Sequence, residues 1–305
     1  MAGGKPIAGR GILVTGAAGF LGSHLVRGLT AAGAEVHPFT RRTGDVTKLE
    51  SLRAAIAAAR PDVVFHLAAY GTTTAQRDVA MMREVNLGGV ENLWTALERF
   101  HCRIVQAGTC AEYATKAGPI SESDPCLPES DYARTLHDAV CYSQARAQRT
   151  GREVVVLRPF GAYGPGDRPE RLIPFVIDGL LGDGRVPVTA GTQRRDFSYV
   201  RDHVLAFMAA AVAPLTQTGA VYNVGSGIPI SVRDVVEKIA GFFGDRAHDR
   251  IDFGAAASRS DDRGDRYADI SAARRDLVFA PAVGLDEGLR LTIAAARAAR
   301  QEAVR

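Results

Sequence analysis

The stretch G-I-L-V-T-G-A-A-G-F-L-G, from Gly11 to Gly22, is a short apolar run that breaks into three spaced glycines. An apolar run of this length closed by a Gly-rich turn reads as a buried strand, and the residues after it, through Ala32, read as a helix. Gly16 permits a tight turn, Gly19 lets backbone amides approach a pyrophosphate, and Gly22 lets the helix pack closely on the strand. Phe20 and Leu21 fall in the first helical turn, whose unpaired N–H groups and positive potential attract an anion. A lone Gly-rich pattern says little, but the strand–turn–helix context makes this one a phosphate cradle.

Outward from this turn, strands and helices alternate. Residues 35–40, 62–67, 103–108 and 153–158 read as strands, and residues 48–60, 84–100 and 132–150 as helices. Short apolar strands separated by helices imply a parallel sheet covered on both faces. After Arg158 the pattern becomes irregular. Pro and Gly cluster between Pro159 and Pro174, with one more strand at 221–224 and one more helix at 232–243. The expected architecture is α/β. A doubly wound parallel sheet of the Rossmann kind occupies residues 1–160, and segments near 196–225 return to it. A smaller, interleaved C-terminal α/β substrate domain occupies residues 161–305. Ligands of such sheets bind at the carboxyl edge of the strands.

The composition excludes several classes. A chain of 305 residues, 46% hydrophobic and 23% charged, folds without staples and is neither disordered nor fibrous. No apolar run approaches the roughly 20 residues that span a bilayer. No secretory h-region opens the chain, so the cytoplasm is the expected compartment. Cys102, Cys110, Cys126 and Cys141 show no C-x-x-C spacing, which speaks against a disulfide framework and against a metal site. The net charge of +3 comes from scattered arginines and no basic block. That suits small anionic ligands and not nucleic acid.

The second strand ends Phe39-Thr40-Arg41-Arg42. An acidic residue there would bond the ribose 2′-hydroxyl of NAD, whereas two guanidiniums suit a 2′-phosphate, so NADP is favoured over NAD. The alternative is a pair of solvated arginines. Asp45, with Val46 beside it, follows too soon after the strand to be a ribose ligand and is placed near the adenine amino group.

Taken together, these motifs resemble the extended short-chain dehydrogenase/reductase family of NAD(P)-dependent nucleotide-sugar epimerases, dehydratases and ketoreductases. The resemblance spans nearly the whole chain. It is carried by T-G-A-A-G-F-L-G at Thr15, H-L-A-A at His66, N-L-G-G-V-E-N-L at Asn86 and G-T-C-A-E-Y at Gly108. It continues with Y-A-R-T-L at Tyr132, R-P-F-G-A-Y-G-P-G at Arg158, R-D-F-S-Y-V at Arg195 and N-V-G-S-G at Asn223. The resemblance implies roles position by position. Leu67, Ala68 and Ala69 would form the wall beside the cofactor phosphates and ribose, with Asn86 also on the cofactor side. Thr109 would bond the substrate oxygen being oxidised or reduced, and Tyr132 would be the proton donor and acceptor. Pro159 and Phe160 would line the nicotinamide, and Cys110, Ala111 and Gly161 the substrate. Arg195 resembles the arginine that grips the nucleotide diphosphate, and Arg259, Arg263 and Arg266 are candidates for a second such contact. The implied ligand is a nucleotide-diphosphate sugar. The implied assembly is a homodimer through the helix at 84–100 and the helix from Tyr132.

Three departures shape the expected reaction. In the family a lysine four residues after the tyrosine, about 400° further round the helix, shares its face, lowers its pKa and holds the nicotinamide ribose. Here that position is Leu136. Arg134 and His137 lie at about 200° and 140° from Tyr132, so neither replaces it easily. Dehydratases of the family follow their Ser or Thr with Asp-Glu. Cys110-Ala111 stand here, so 4,6-dehydration is not expected. The asparagine frequent in the family motif is Gly161, which removes one polar substrate contact. The resulting reading is hydride transfer at C4 of a nucleotide-linked hexose, by a 4-epimerase or 4-ketoreductase. The alternative, motivated by Leu136, is a pseudo-enzyme that binds cofactor and nucleotide sugar. His66, Leu93, Trp94 and Leu97 read as structural. Cys110 reads as pocket lining or core without a His–Asp partner. Glu112 reads as facing the other side of the strand or leaving it.

Overall fold

The structure, a computed structural model, describes residues 6–73, 75–215, 217–257 and 264–303. Five strands are laid down first: β1 (Gly11–Thr15), β2 (Glu35–Phe39), β3 (Val63–His66), β4 (Arg103–Ala107) and β5 (Val154–Pro159). Four short strands follow, β6 (Ala162–Tyr163), β7 (Val186–Val188), β8 (Arg194–Asp196) and β9 (Ser198–Tyr199). Then β10 (Ala220–Val224) rejoins the main sheet, and β11 (Pro229–Ser231) and β12 (Ile251–Phe253) complete the set. The main sheet has the order β10-β5-β4-β3-β1-β2, and every pair in it is parallel. β1 pairs with β2 from Gly11↔Glu35 to Thr15↔Phe39, and with β3 from Ile12↔Val63 to Thr15↔His66. The winding reverses between β1 and β3, which opens a crevice at their carboxyl ends.

Helices α1 (Phe20–Ala31), α2 (Leu49–Ala59), α3 (Val79–Arg83), α4 (Gly89–Ala96) and α5 (Asp131–Thr150) connect these strands. The chain then forms α6 (Leu172–Leu181), α7 (Val200–Val212), α8 (Val232–Gly241), α9 (Asp245–His248), α10 (Ser271–Asp276) and α11 (Leu285–Ala303). Successive strand residues feed opposite layers. Ile12, Val14 and Phe65 pack with Leu25, Leu29 and Phe207 of α1 and α7. Leu13 and Val64 pack with Leu52, Ile56, Trp94 and Val140 of α2, α4 and α5. This two-sided burial is why the strands are continuously apolar. A third core, including Ile173, Val176, Val235, Ile239 and Leu289, is built from α6, α8 and α11. Among the described residues no helix is long and apolar enough to cross a membrane.

The helix expected over 84–100 begins sooner and ends sooner. Asp78 starts α3 by accepting the Met81 amide at 3.1 Å, a capping contact. One wide π-type turn, Glu84–Gly88, carries α3 into α4, which ends at Ala96.

Candidate active site

The carboxyl ends of β1 and β3 and the start of α1 form one surface. Gly16 has φ +67°, and a Cβ there would lie 2.6 Å from the Leu67 backbone carbon and 2.7 Å from the Ala68 nitrogen. A Cβ on Gly22 would lie 2.2 Å from the Gly16 carbonyl oxygen. Thr15 laces the two strands. Its hydroxyl oxygen accepts the Leu67 and Ala68 amides at 3.2 and 3.3 Å and meets His66 Nδ1 at 2.9 Å. With its oxygen occupied by two amides, the hydroxyl donates to His66, and burial pushes that imidazole down to about 4, so the ring is neutral and structural. Gly19 precedes α1 without a side-chain cap. The first-turn amides around Phe20 and Leu21 thus have no side-chain cap, close to the Leu67–Ala68 backbone that Gly16 abuts. A Cβ at Gly16 or Gly22 would run into the backbone that shapes this cradle, and its open first-turn amides fit the pyrophosphate of a dinucleotide.

Of the other expected cofactor residues, some stand open and some are engaged by the protein itself. Arg41 and Arg42 stand exposed beyond β2. Asp45 is exposed too, but its Oδ1 accepts the Thr47 amide at 2.9 Å in a local turn. Val46 is buried in the core shared with α2 and α4. Asn86 uses its whole amide: Oδ1 accepts the Tyr70 N–H at 2.8 Å, and Nδ2 donates to Tyr70 O at 3.0 Å and Thr135 Oγ1 at 2.9 Å. It braces the loop after β3 against α5. Phe160 is wholly buried with Tyr113, Ile120, Ala268 and Ile270, so its ring is core, while Pro159 keeps part of its surface open.

β4 delivers Thr109 and α5 delivers Tyr132. Thr109 precedes a single 3-10 turn, Cys110–Glu112, and its Oγ1 accepts the Ala111 amide at 3.2 Å, which leaves the hydroxyl proton to be donated elsewhere. The Thr109 amide donates to Glu112 Oε1 at 2.8 Å. Glu112 Oε2 accepts Arg158 Nε at 3.1 Å and Nη2 at 2.7 Å, and meets His137 Nδ1 at 3.3 Å. The Arg158 guanidinium lies over the Tyr113 ring, 4.4 Å from its centroid. Burial pushes the Glu112 carboxyl up, but the His137 hydrogen bond and the Arg158 charge outweigh it and hold it below the usual carboxylate range. The tight turn after β4 takes Glu112 off the strand, one of the two placements expected, and folds it back under Thr109. Cys126 joins Glu112 and His137 at distances compatible with metal ligands. Two guanidinium donors already occupy the carboxylate oxygen beside the imidazole, so the group is an ion-pair network.

Tyr132 is partly buried at the start of α5. Burial pushes its phenol up to about 12; Cys110 and Glu112 act in the same direction, while Arg171 and Arg168 pull it down. Leu136 is buried at 5% exposure. Burial also raises the Cys110 thiol despite nearby Arg266, Arg171 and Arg195, which keeps it protonated and no nucleophile. Arg171 and Arg168 come from the loop before α6, and no sequence motif pointed to them. Gly161 has φ +44°, and a Cβ there would lie 1.6 Å from the Asp196 carbonyl oxygen. An asparagine has no room where β6 closes on β9, so the glycine is a packing requirement. Arg195 Nη1 donates to the Arg194 and Gly264 carbonyls at 2.8 and 2.5 Å. Asp196 is buried and accepts the Ser226 amide and hydroxyl, both at 2.7 Å, and the Gly227 amide at 2.9 Å, which fixes the N-V-G-S-G loop beside β8. Arg259 and Arg263 lie outside the described residues.

The sequence profile of the NAD dependent epimerase/dehydratase family matches residues 12–225, which takes in all six strands of the main sheet. The chain belongs to this family. It is 31% identical to the dTDP-glucose 4,6-dehydratase of Streptomyces griseus over 93% of each chain. It is 28% identical to the UDP-glucuronate 4-epimerase of Thermodesulfobacterium geofontis over 82% of this chain and 76% of that one. Among solved structures, MoeE5 in complex with UDP-glucuronic acid and NAD aligns with a TM-score of 0.84 at 34% identity, over 94% of this chain and 99% of that one. RMD from Pseudomonas aeruginosa complexed with NADPH aligns with a TM-score of 0.85 at 26% identity, over 95% and 99%. The exclusion of 4,6-dehydration drawn from Cys110-Ala111 is overturned, because family relatives of matching length carry the dehydratase name. Those two positions lie in one short turn, Cys110–Glu112, and do not by themselves decide the reaction. Both curated relatives carry enzyme names, and the pseudo-enzyme alternative finds no support in them.

Proposed function

We propose that the protein is a nicotinamide-dinucleotide-dependent enzyme acting on a nucleotide-diphosphate sugar by hydride transfer at C4 of the hexose. The observation that carries this is the convergence of the Gly16–Gly22 cradle, Thr109 and Tyr132 on one edge of the sheet. MoeE5, bound to NAD and UDP-glucuronic acid, and RMD, bound to NADPH, support it by similarity. When bound, the dinucleotide supplies the hydride acceptor and donor. Gly16, Gly19 and Gly22 with the α1 amides would hold its pyrophosphate, Leu67, Ala68 and Ala69 would wall it, and Arg41 and Arg42 would favour a 2′-phosphate.

The remaining tasks fall to side chains of this chain. Thr109 gives its free hydroxyl proton to the sugar oxygen as a hydrogen bond. Tyr132 takes that oxygen's proton during oxidation and returns it during reduction. A phenol pushed up to about 12 is protonated near neutrality, so the proton needed for reduction is in place, while the phenolate that must accept the sugar's proton during oxidation is scarce. Cys110, Ala111, Gly161 and Arg195 would surround the sugar nucleotide. A homodimer would form through α4 and α5, and sedimentation tests it.

The purified protein should be incubated with NAD or NADP and, in turn, UDP-glucuronic acid, UDP-glucose and dTDP-glucose. A product of unchanged mass with inverted C4 identifies an epimerase, and loss of water a dehydratase. Consumption of NADPH by a 4-keto sugar nucleotide identifies a reductase. A protein that takes up neither dinucleotide and alters none of these sugars refutes the proposal. Equal affinities for NADPH and NADH would remove the roles given to Arg41 and Arg42, and full activity in Tyr132→Phe would remove that of Tyr132.

A further inference from the structure

We propose that Glu112 is a positioning residue: its buried carboxylate holds the Thr109 turn in register with α5 and so sets Thr109 against Tyr132. The inference rests on the reading of Thr109 and Tyr132 as the pair that handles the sugar oxygen and its proton. Glu112 is wholly buried, and each of its carboxylate oxygens has a separate task. Oε1 accepts the Thr109 amide at 2.8 Å. Oε2 accepts Arg158 Nε and Nη2 at 3.1 and 2.7 Å, and His137 Nδ1 at 3.3 Å. Arg158 lies on β5, which runs parallel beside β4. His137 lies on α5, five residues after Tyr132. One side chain thus ties the turn that carries Thr109 both to the neighbouring strand and to the helix that carries Tyr132.

Two further observations single out the contact with Thr109. Gly108 leaves the carboxylate its room: a Cβ there would lie 2.5 Å from Glu112 Oε1 and 3.2 Å from Arg158 Cγ. Thr109 and Glu112 also cap the 3-10 turn reciprocally, since Thr109 Oγ1 accepts the Ala111 amide at 3.2 Å while Glu112 accepts the Thr109 amide. The Thr109 backbone and side chain are both held, and the hydroxyl proton is turned away from Ala111. Stability alone does not call for charges here. Taking a carboxylate and a guanidinium out of water is costly, and apolar side chains of similar volume often serve a fold as well. What the ion pair adds is direction. Two nitrogens of Arg158 fix Oε2, and that aims Oε1 at the Thr109 amide. Glu112 touches no reacting atom in this scheme and acts through Thr109.

The experiment removes the tie without stranding a charge. A first variant, Glu112→Met with Arg158→Met, takes both charges away and keeps the space filled, so the fold should hold. A second, Glu112→Gln with Arg158→Met, gives the Thr109 amide an acceptor again. In the full-length protein carrying 15N-labelled threonine, Thr109→Ser identifies the resonance, and amide hydrogen exchange reads the tie. Exchange at Thr109 should quicken about tenfold in the first variant, the low end for losing a hydrogen bond to a charged acceptor, and return most of the way in the second. With a nucleotide sugar that wild type converts, the first variant should lower kcat about tenfold or more and leave KM within about twofold, and the second should restore most of kcat. In a Thr109→Val background the first pair of substitutions should lower kcat no further, because no hydroxyl remains to be placed. Thr109 exchange as slow as in wild type overturns the proposal. So does an equal loss of kcat in both backgrounds, the mark of a role in the fold alone. If the first variant does not fold, Gly108→Ala, which sets a Cβ against Oε1 and keeps both charges, is read by the same criteria. A wild type that converts no nucleotide sugar sinks the functional reading, while exchange at Thr109 still decides whether Glu112 holds the turn.

Discussion

Replacing Glu112 by Gln removes one negative charge from a place that water does not reach and keeps the shape of the side chain. Arg158, with its side chain 5% exposed against 0% for Glu112, then keeps its charge with no carboxylate beside it. Removing one partner of a buried pair costs about 3–5 kcal/mol. Gln still offers an oxygen to the Thr109 amide and opens no cavity, so the expected loss is at the low end, about 3 kcal/mol. Equilibrium urea unfolding reads it. The pH dependence has a definite sign. The His137 hydrogen bond and the Arg158 charge, against desolvation, hold the folded Glu112 carboxyl below its unfolded value. The stability it contributes is therefore whole above the unfolded pKa of about 4.3 and drains away as pH falls through the lower folded value. Wild type should lose stability faster than E112Q over that range, and the gap between them should narrow. Adding Arg158→Met to E112Q removes the stranded charge and should recover most of the loss. A loss below about 1 kcal/mol in E112Q, or no recovery in the double variant, would refute the reasoning.

Other perturbations give equally direct outcomes. Gly16→Ala places a Cβ 2.6 Å from the Leu67 backbone at φ +67°; calorimetric affinity for the dinucleotide should fall at least about tenfold, and undiminished affinity contradicts the cradle. Val278 holds φ +52° while 87% exposed. Val278→Gly should raise the urea midpoint by an amount worth about 1 kcal/mol, and a lowered midpoint would show that the left-handed turn is not strained. Burial pushes His66 down to about 4, so its unfolded ring binds a proton before the folded one does. Stability should decline as pH falls from about 6.5 towards 4, and His66→Asn should flatten that slope; an unaltered slope excludes His66 as its source.

What the sequence reveals depends on how local the physics is. Gly16 and Gly22 are legible because their constraint needs only the strand before them and the helix after them. Thr109 and Tyr132 are read from the family resemblance, and the parallel sheet brings the end of β4 and the start of α5 to its carboxyl edge. Glu112 is not: its partner Arg158 lies 46 residues away on β5, and only the turn at Cys110 aims the carboxylate at it. The burial of the Phe160 and Val46 side chains is not legible in one dimension, because closure at Gly161 and packing against Gly89 turn them inward only in the fold. The cap at Asp78 and the apolar residues Val79, Met82 and Val85 behind it mark a start earlier than the helix expected over 84–100.

β10 pairs along the outer side of β5, although the two strands are separated in sequence by α6, α7 and several short strands. During synthesis Val154–Pro159 therefore leaves the ribosome as an apolar border strand whose hydrogen-bonding groups on that side have no mate until residues 220–224 arrive. A chain stalled or cut near residue 160 would carry a ready template for intermolecular pairing, and it should coagulate or recruit chaperones under conditions where the finished protein stays dispersed.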